Sequence, residues 1–414
     1  MQLSEEERRM LDGDLGSGYQ KAMEILVALG EIYGSEKMIP VTSAHVSSCS
    51  YKTSGSAGSK FVRSLADTEN KFKVLTTLNP LSVDDEHWMS LGFAEEDFKN
   101  QMITAEAYRR LGGVCLYTCT PYLVGNLPKF GDHIAWAESE AVIFVNSVIG
   151  ARTNREGGIS ALAAGLTGRT PFYGYHLYEN RKATVLIENR ADLRSSSDYS
   201  ALGYHLGTLL VGKEVPLLTN LGRIPSIEDL KAFSAGIATS GNATLFHIEG
   251  VTPESTDSKL VAKVNMKQKI IVSDEDINAV YRKLSTAIQS DIDFVGIGCP
   301  HLSITEIGEI ASIFEAKRLK VHPKVRLWIY TSSFIKGIAD RMGFSKAIIE
   351  AGGEMVCNTC PILACIDHMA LKNFATNCAK AAHYAPSMSK LNPFFGTLED
   401  CINAAVTGEW KERV

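Results

Sequence analysis

The stretch DIDFVGIGCPHLSITEIGEIASIFEA, residues 291–316, decides the fold class of this chain. Its first eight residues form a largely apolar run typical of a strand, and residues 303–316 carry apolar side chains at helical spacing. Further strands are predicted at TLFHIEG (244–250), KQKIIVS (267–273), VRLWIYTS (325–332) and GEMVCNT (353–359), and further helices at SDEDINAVYRKLSTA (273–287) and SFIKGIADRMG (333–343). This alternation predicts an α/β fold with a parallel sheet.

The first half of the chain alternates less regularly. Strands are predicted at MIPVTSAHV (38–46) and KVLTTLN (73–79), and EAVIFVN (140–146) is predicted as a strand buried on both faces. A helix is predicted at residues 95–113, where two glycines end it, and a helix of small residues at ISALAAGL (159–166). We place a boundary near VPLLTNLGRIPS, which divides the chain into regions 1–220 and 221–414.

Composition excludes several classes of protein. The 414 residues are 45% hydrophobic and 21% charged, as in an ordinary globular protein of two or three domains. A net charge of −5 gives no electrostatic reason to expect a nucleic-acid partner. The sequence has no apolar run long enough for a membrane span, and its beginning, MQLSEEERRM, lacks the apolar core of a signal peptide. We therefore expect a cytoplasmic protein.

Three of the nine cysteines share a local context. Cys299 and Cys360 directly precede a proline and closely follow a predicted strand, and Cys119 lies two residues before a proline. Ligands of open α/β sheets gather beyond the carboxyl ends of the strands, so these thiols are expected to converge. Three thiolates suit a soft metal or an iron–sulfur cluster, and an iron with an open position can act as a Lewis acid.

Other interpretations of the cysteines remain open. Each thiol alone is equally well explained as a small buried apolar group. Cys357 and Cys360 form a C-x2-C pair, which also fits a redox dithiol or half of a zinc site. Cys49, Cys378 and Cys401 are interpreted as structural.

Polar side chains are concentrated in four loops that could bind an anionic ligand. SYKTSGSAGSK (50–60) and TTLNP (76–80) are two of them; GNLPKFGDHIAWAESE (125–140) and NSVIGARTNREGG (146–158) are the others. An ammonium group, arginine forks and backbone N–H groups are suited to carboxylates and phosphates. The predicted substrate-binding residues are Lys52, Ser54, Thr77, Asn79, Asn126, Arg152, Asn154 and Arg155.

Acid–base roles are assigned to three residues of the same loops, His133, Glu138 and Ser147. Histidine titrates near neutrality, which suits proton transfer, although a single histidine is more often structural. The alternative for Arg152 and Arg155 is an ion pair between domains.

Several long motifs closely resemble those of the aconitase X family. The longest is YTCTPYLVGNLPKFGDHIAWAESEAVIFVNSVIGARTNREGG (117–158). The others are SAHVSSCSYKTSGSAG (43–58), TGRTPFYGYHL (167–177), GIGCPHLSITEIGEIA (296–311), NTCPI (358–362) and TNCAKAAHYAP (376–386). Together they extend along nearly the whole chain.

The resemblance implies an aconitase-like fold, with three α/β domains around a central metal-cluster cleft, and a hydro-lyase. It implies that Cys119, Cys299 and Cys360 hold an iron–sulfur centre, whose number of irons stays open down to a single iron. Members of the family also need a mobile fourth domain with a catalytic serine. Only about fifty residues follow the NTCPI motif, so we expect that domain on a separate small subunit.

The resemblance implies one of two substrates. These are (R)-5-phosphomevalonate, dehydrated to anhydromevalonate 5-phosphate, and cis-3-hydroxy-L-proline. Lys52 in one loop and Arg152 with Arg155 in another could hold two anions, which favours the phosphorylated substrate. Two alternatives of other classes are a thiol redox enzyme that uses Cys357 and Cys360 and an RNA-binding apoprotein, which the net charge disfavours.

Overall fold

The computed structural model describes residues 1–210, 212–263, 266 and 268–411. Its strands form four sheets, and helices cover them. No helix in these residues is long and apolar enough to cross a membrane.

The first part of the chain forms a three-stranded parallel sheet and a small antiparallel pair. The sheet has the order β3-β2-β4, and β1 pairs with β5. The elements are α1 (Glu5–Leu11), α2 (Ser17–Ile32), β1 (Met38–Pro40), β2 (Ser43–Val46), α3 (Tyr51–Ala66), β3 (Leu75–Leu78), α4 (Glu95–Arg110), β4 (Ala135–Trp136), α5 (Ser139–Phe144), α6 (Gly158–Thr167) and β5 (Arg169–Pro171).

The middle part is a four-stranded parallel sheet in the order β8-β7-β6-β9. The elements are β6 (Val185–Asn189), α7 (Ser196–Leu209), β7 (Pro216–Thr219), α8 (Ile227–Ser240), β8 (His247–Ile248), β9 (Gln268–Val272) and α9 (Asp274–Leu284). Helices α7 and α8 touch backbone to backbone. A Cβ on Gly236 would lie 2.2 Å from the carbonyl oxygen of Ser200, so only glycine permits this approach.

The last part is a five-stranded, fully parallel sheet in the order β12-β11-β10-β13-β14. Its elements are β10 (Phe294–Ile297), α10 (Ile304–Lys317), β11 (Arg326–Thr331), α11 (Ser333–Met342), α12 (Phe344–Glu350), β12 (Glu354–Cys357), β13 (Asn373–Thr376), α13 (Ala379–Ser389), β14 (Asn392–Phe395) and α14 (Leu398–Thr407). The parallel α/β fold expected from the sequence is confirmed.

One predicted strand is wrong. Residues 140–146 lie in helix α5 and in the wider π-helical turn Val145–Ile149 that follows it. Every residue from 140 to 147 is buried, so the segment is in contact with protein on all sides. A fully buried helix and a fully buried strand have the same continuous apolar pattern, and periodicity cannot separate them.

Two other predictions need adjustment. The predicted strand 38–46 is two strands, β1 and β2, which belong to different sheets. The predicted boundary at residue 220 does not coincide with the edge of a sheet. It falls between β7 and β8, inside the four-stranded sheet of the middle part.

Candidate active site

Cys119, Cys299 and Cys360 line one cavity of about 370 Å³. Cys299 is the second residue after β10, and Cys360 lies three residues after β12, so both lie beyond the carboxyl ends of parallel strands that flank β11 in one sheet. Cys119 comes from the first sheet, on a segment where the Thr118 N–H donates to the Leu78 carbonyl of β3 at 3.0 Å. The expected convergence of the three loops is therefore seen.

The structure distinguishes the two thiols of the C-x2-C pair. Cys357 is the last residue of β12, and its N–H donates to the buried carboxylate of Asp84 at 2.7 Å. The backbone of Asn358 then takes a positive φ of 59°, and the chain turns so that Cys360 reaches the cavity wall. Cys357 is not among the residues that line the cavity.

A buried ion pair forms one side of the cavity. The Lys380 ammonium lies 2.5 Å from Oε1 of Glu138, and the Asn79 amide donates to Oε2 of Glu138 at 3.0 Å. Burial disfavours the charged carboxylate, but Lys380 outweighs it, and the pKa of Glu138 lies below its ordinary value. The carboxylate in turn raises the pKa of Lys380 against the effect of burial. Both groups are therefore charged at neutral pH.

A chain of hydrogen bonds behind Glu138 fixes this pair. His45 lies between Asn79 and Thr77, with Nε2 at 3.3 Å from Asn79 Oδ1 and Nδ1 at 2.9 Å from Thr77 Oγ1. The Asn126 amide donates to Thr77 Oγ1 at 2.9 Å. Burial lowers the pKa of His45 to about 4, so the imidazole is neutral, donates from Nε2 and accepts at Nδ1. Every donor in the chain has one acceptor.

Thr77 and Asn126 were predicted to bind substrate, but both lie behind the cavity wall and are connected to it only through other residues. Neither lines the cavity: Asn126 bonds Thr77, Thr77 bonds His45, and His45 bonds Asn79. His45 was missed, although its motif was among those that resemble the family. A histidine inside a short buried strand carries no sequence signal that separates it from a structural one.

The loop at residues 50–60 is not an open anion-binding loop. It begins helix α3, and the Ser54 hydroxyl donates to the Ser50 carbonyl at 2.9 Å. The Lys52 ammonium donates to the Ala364 carbonyl at 2.9 Å. Lys52 and Ser54 do not line the cavity, because both satisfy nearby backbone acceptors; from this segment only Thr53 reaches it.

Two polar residues of the 146–158 stretch are also structural. Ser147 Oγ accepts the N–H of Phe246 at 2.9 Å. The side chain of Asn154 donates to the Tyr173 carbonyl and accepts the Tyr175 N–H. Neither residue lines the cavity, so the geometry places the predicted catalytic Ser147 away from the reaction.

His133 and Arg152 lie outside the cavity as well. Nδ1 of His133 faces Nδ1 of His176 at 3.0 Å, and burial lowers the pKa of His133, with Arg152 acting in the same direction. Arg155 does line the cavity, and its guanidinium also donates to the Ala238 carbonyl of α8 at 3.0 Å. This bond joins the first part of the chain to the middle part.

Of the residues predicted for the site, six line the cavity, namely Cys119, Cys299, Cys360, Glu138, Asn79 and Arg155. Sequence analysis missed Lys380, which lies in the TNCAKAAHYAP motif. The remaining lining residues are Ser47, Thr53, Pro80, Ala137, Ser139, Glu156, Pro300, Ile362, Leu363, Tyr384 and Met388.

The thiols fit a soft metal by their chemistry. Burial and the Glu138 carboxylate raise the pKa of Cys119, Cys378 and burial raise that of Cys299, and burial raises that of Cys360. Three thiolates would need positive charge beyond what the paired Lys380 supplies, and a metal cation provides it. In the described part of the chain, no three Cys, His, Asp or Glu side chains already surround a single ion position.

Comparison with known proteins identifies the family. The models of the first, second and third domains of aconitase X match residues 1–179, 183–282 and 292–407. The chain is 44% identical to the phosphomevalonate dehydratase large subunit of Methanocaldococcus jannaschii, over 97% of this chain and 99% of that protein. The chain belongs to the aconitase X family.

A solved structure supports the same conclusion. The crystal structure of Thermococcus kodakaraensis aconitase X in its holo-form has a TM-score of 0.89 and 41% identity, and covers 98% of this chain and 100% of that chain. A more distant relative is the cis-3-hydroxy-L-proline dehydratase of Hypocrea jecorina, 34% identical over 99% of this chain and 69% of that protein. The aconitase-like fold is thus confirmed, the named relatives are dehydratases, which are hydro-lyases, and the family indicates an iron-containing cofactor.

Proposed function

We propose that this chain is the large subunit of a phosphomevalonate dehydratase, which removes water from (R)-5-phosphomevalonate to give anhydromevalonate 5-phosphate. The observation that carries the proposal is the 44% identity of three relatives of that name, which exceeds the identity of the cis-3-hydroxy-L-proline dehydratases; another relative of that name, from Aeropyrum pernix, is 33% identical. Three proteins named phosphomevalonate dehydratase large subunit are each 44% identical to this chain. Two cis-3-hydroxy-L-proline dehydratases are 34% and 35% identical.

Cys119, Cys299 and Cys360 are the residues that would hold an iron-containing centre. Such a centre, when bound, supplies Lewis acidity toward the leaving hydroxyl group. The three thiols reach the cavity on loops from two different sheets, so the centre and the substrate would share this cavity.

The chain's own residues bind and orient the substrate. Lys380 and Arg155 place two positive charges on the cavity wall, and the proposed substrate carries a carboxylate and a phosphate. Glu138, fixed by Asn79, keeps the Lys380 ammonium in one position. A cation held in advance of the reaction stabilises negative charge that develops beside the carboxylate without further rearrangement.

Part of the cavity wall is apolar. Pro80, Pro300, Ile362 and Leu363 line the cavity beside the charged groups. In such surroundings the attraction between Lys380 and an anionic substrate is stronger than in water.

A small partner subunit completes the proposed enzyme. The relatives with the highest identities given above are named large subunits. We propose that a small subunit covers the cavity and brings a serine that removes the proton next to the carboxylate. A cytoplasmic location, and the absence of nucleic-acid and membrane partners, stay predictions.

The redox alternative has little support in the geometry. A redox dithiol needs a thiol with a depressed pKa. Burial raises the pKa of both Cys357 and Cys360, and only Cys360 reaches the cavity.

The proposed function is tested with the two substrates. The chain is produced anaerobically together with a small aconitase X subunit, reconstituted with iron and sulfide, and assayed with (R)-5-phosphomevalonate and with cis-3-hydroxy-L-proline. We expect turnover of the phosphorylated substrate only. Turnover of cis-3-hydroxy-L-proline alone would replace the proposal with the second substrate.

The metal requirement is tested in the same assay. Cys299→Ser removes one proposed thiolate, and we expect both bound iron and turnover to be lost. Cys401→Ser is the matched control, since Cys401 is a fully buried thiol of helix α14 that does not line the cavity. Full turnover by Cys299→Ser without bound iron would contradict the proposed role of the metal.

A further inference from the structure

His301 is the second residue after Cys299 and touches all three cysteine-bearing loops. Its Nε2 lies 2.7 Å from the carbonyl oxygen of Thr359, the residue before Cys360. Its Nδ1 lies 3.0 Å from Oγ1 of Thr118, the residue before Cys119. The ring is 1% exposed and does not line the cavity, so it does not meet the substrate directly.

These partners determine the form of the ring. A carbonyl oxygen only accepts, so Nε2 of His301 carries the hydrogen and donates to Thr359. Nδ1 then accepts the hydroxyl hydrogen of Thr118. Thr118 Oγ1 in turn accepts the N–H of Thr120 at 3.1 Å, which fixes the hydroxyl. The neutral tautomer with its hydrogen on Nε2 therefore satisfies the Thr359 carbonyl and the Thr118 hydroxyl together.

The backbone of His301 adds a third connection. Its N–H donates to Sγ of Cys119 at 3.2 Å, so the loop of Cys299 contacts a proposed ligand atom of another loop. Its carbonyl accepts from the ammonium of Lys231 at 3.0 Å, and Lys231 also pairs with Glu306. The main chain at His301 is therefore held on both sides.

We infer that His301 is a positioning residue, which holds the loops of Cys119, Cys299 and Cys360 at the spacing that a shared metal centre requires. The inference rests on the proposed function only in taking these three thiols as the metal ligands. Groups that orient metal ligands from behind contribute roughly 10–100-fold to metal affinity. A side chain that bonds two ligand loops while belonging to the third is placed to make such a contribution.

Cobalt binding tests the inference without using activity. Co(II) is titrated anaerobically into the metal-free chain, and the thiolate-to-cobalt charge-transfer absorption is followed for wild type, His301→Leu, His301→Gln and His301→Asn. Gln keeps a donor near the Nε2 position for Thr359, and Asn keeps an acceptor near the Nδ1 position for Thr118. The matched control is His247→Leu, because His247 is fully buried and bonds one carbonyl, that of Arg181 at 2.8 Å, away from the cysteines.

We expect His301→Leu to bind Co(II) at least about tenfold more weakly than wild type, with a weaker charge-transfer band. The Co(II) affinities of His301→Gln and His301→Asn are expected to lie between those of wild type and His301→Leu. His247→Leu is expected to bind Co(II) like wild type. If His301→Leu does not fold, the Gln and Asn variants still test the inference, since wild-type affinity for Co(II) in both of them would overturn it.

Three further results would also overturn it. They are wild-type affinity in a folded His301→Leu, an equal loss in His247→Leu, and no thiolate–cobalt band in wild type. Failure of the proposed function looks different, since it would appear as wild-type metal binding without dehydration of either substrate.

Discussion

Lys380 is a charged residue of the cavity wall that the sequence analysis did not select. It occupies the second position of helix α13, among alanines, and no glycine or turn residue marks it in the sequence. The structure pairs it with Glu138 on the cavity wall, where burial makes the pair strong. A lysine at the start of a small-residue helix usually extends into solvent, so sequence reasoning had no basis to select it.

The charge of Lys380 is expected to matter for turnover. Lys380→Met removes the cation and leaves Glu138 unpaired, so we expect kcat/KM to fall by roughly 10²–10³-fold. Lys380→Arg keeps a positive charge and should retain more of the activity. Steady-state kinetics of both variants with the small subunit measure this, and equal activities for Met and Arg would contradict a role for the charge.

Lys52 is expected to behave in the opposite way. Its ammonium bonds the carbonyl of Ala364 and does not line the cavity. Lys52→Met should therefore leave KM for the substrate within about threefold of wild type, because no binding contact to substrate is removed. A KM increase as large as that of Lys380→Met would restore the role that the sequence predicted for Lys52.

The polar residues of the loops fall into two groups: those that bond nearby main-chain groups and those that line the cavity. Ser54, Ser147 and Asn154 are short, and each bonds a nearby main-chain group. Cys299 and Cys360 were found because they follow predicted strands and precede prolines, which places them at a sheet edge, whereas Glu138 was selected only as a polar residue of its loop. Sequence therefore predicted where the site is better than it predicted which hydroxyls and amides face it.

At the level of elements, the parallel sheet of the last part was the most predictable feature. Strands β10 and β11 each have an apolar run followed by a turn and a helix with regular spacing, and β12 follows helix α12. Helix α5 was not predictable, because a fully buried helix carries the same continuous apolar pattern as a fully buried strand. Its apolar residues belong to the large core cluster that also contains Tyr199 and Leu202, and the helix packs against α8.

The contact between α7 and α8 gives an element-level prediction. Gly236→Ala places a Cβ 2.2 Å from the Ser200 carbonyl, so the helices must move apart, at a cost of about 1–3 kcal/mol or more. Gly337→Ala in α11 is the control, since its Cβ would meet nothing within 4 Å. There we expect a gain of roughly 0.5–1 kcal/mol from helix propensity. Urea denaturation of the metal-free chain measures both, and equal stability changes would contradict the close helix contact.

For the whole molecule, buried neutral histidines predict sensitivity to acid. Burial, assisted by His133 and Arg181, lowers the pKa of His176 to about 3, from an ordinary value of 6.5. The unfolded chain takes up this proton below pH 6.5, whereas the folded chain does not until about pH 3. The stabilisation is complete above pH 6.5 and is lost progressively as the pH falls through this window.

The size of this effect can be measured. His176 should contribute a slope of up to about 1 kcal/mol in unfolding free energy per pH unit between about pH 6 and 4. His176→Phe removes the titrating group, and we expect a shallower decline with pH in the metal-free protein, whatever its stability at pH 7. An unchanged slope in denaturation curves would show that His176 is not responsible.

The position of the cavity has a consequence for how the protein is made. Cys119 and Glu138 belong to the first sheet region, whereas Cys299, Cys360 and Lys380 belong to the last. A ribosome delivers these two regions in order, with the entire middle sheet between them. A nascent chain shorter than 360 residues lacks at least one of the three thiols, so insertion of the proposed metal would come late in synthesis or after it. Delivery of the proposed iron would then depend on the folded last region as well as on the first.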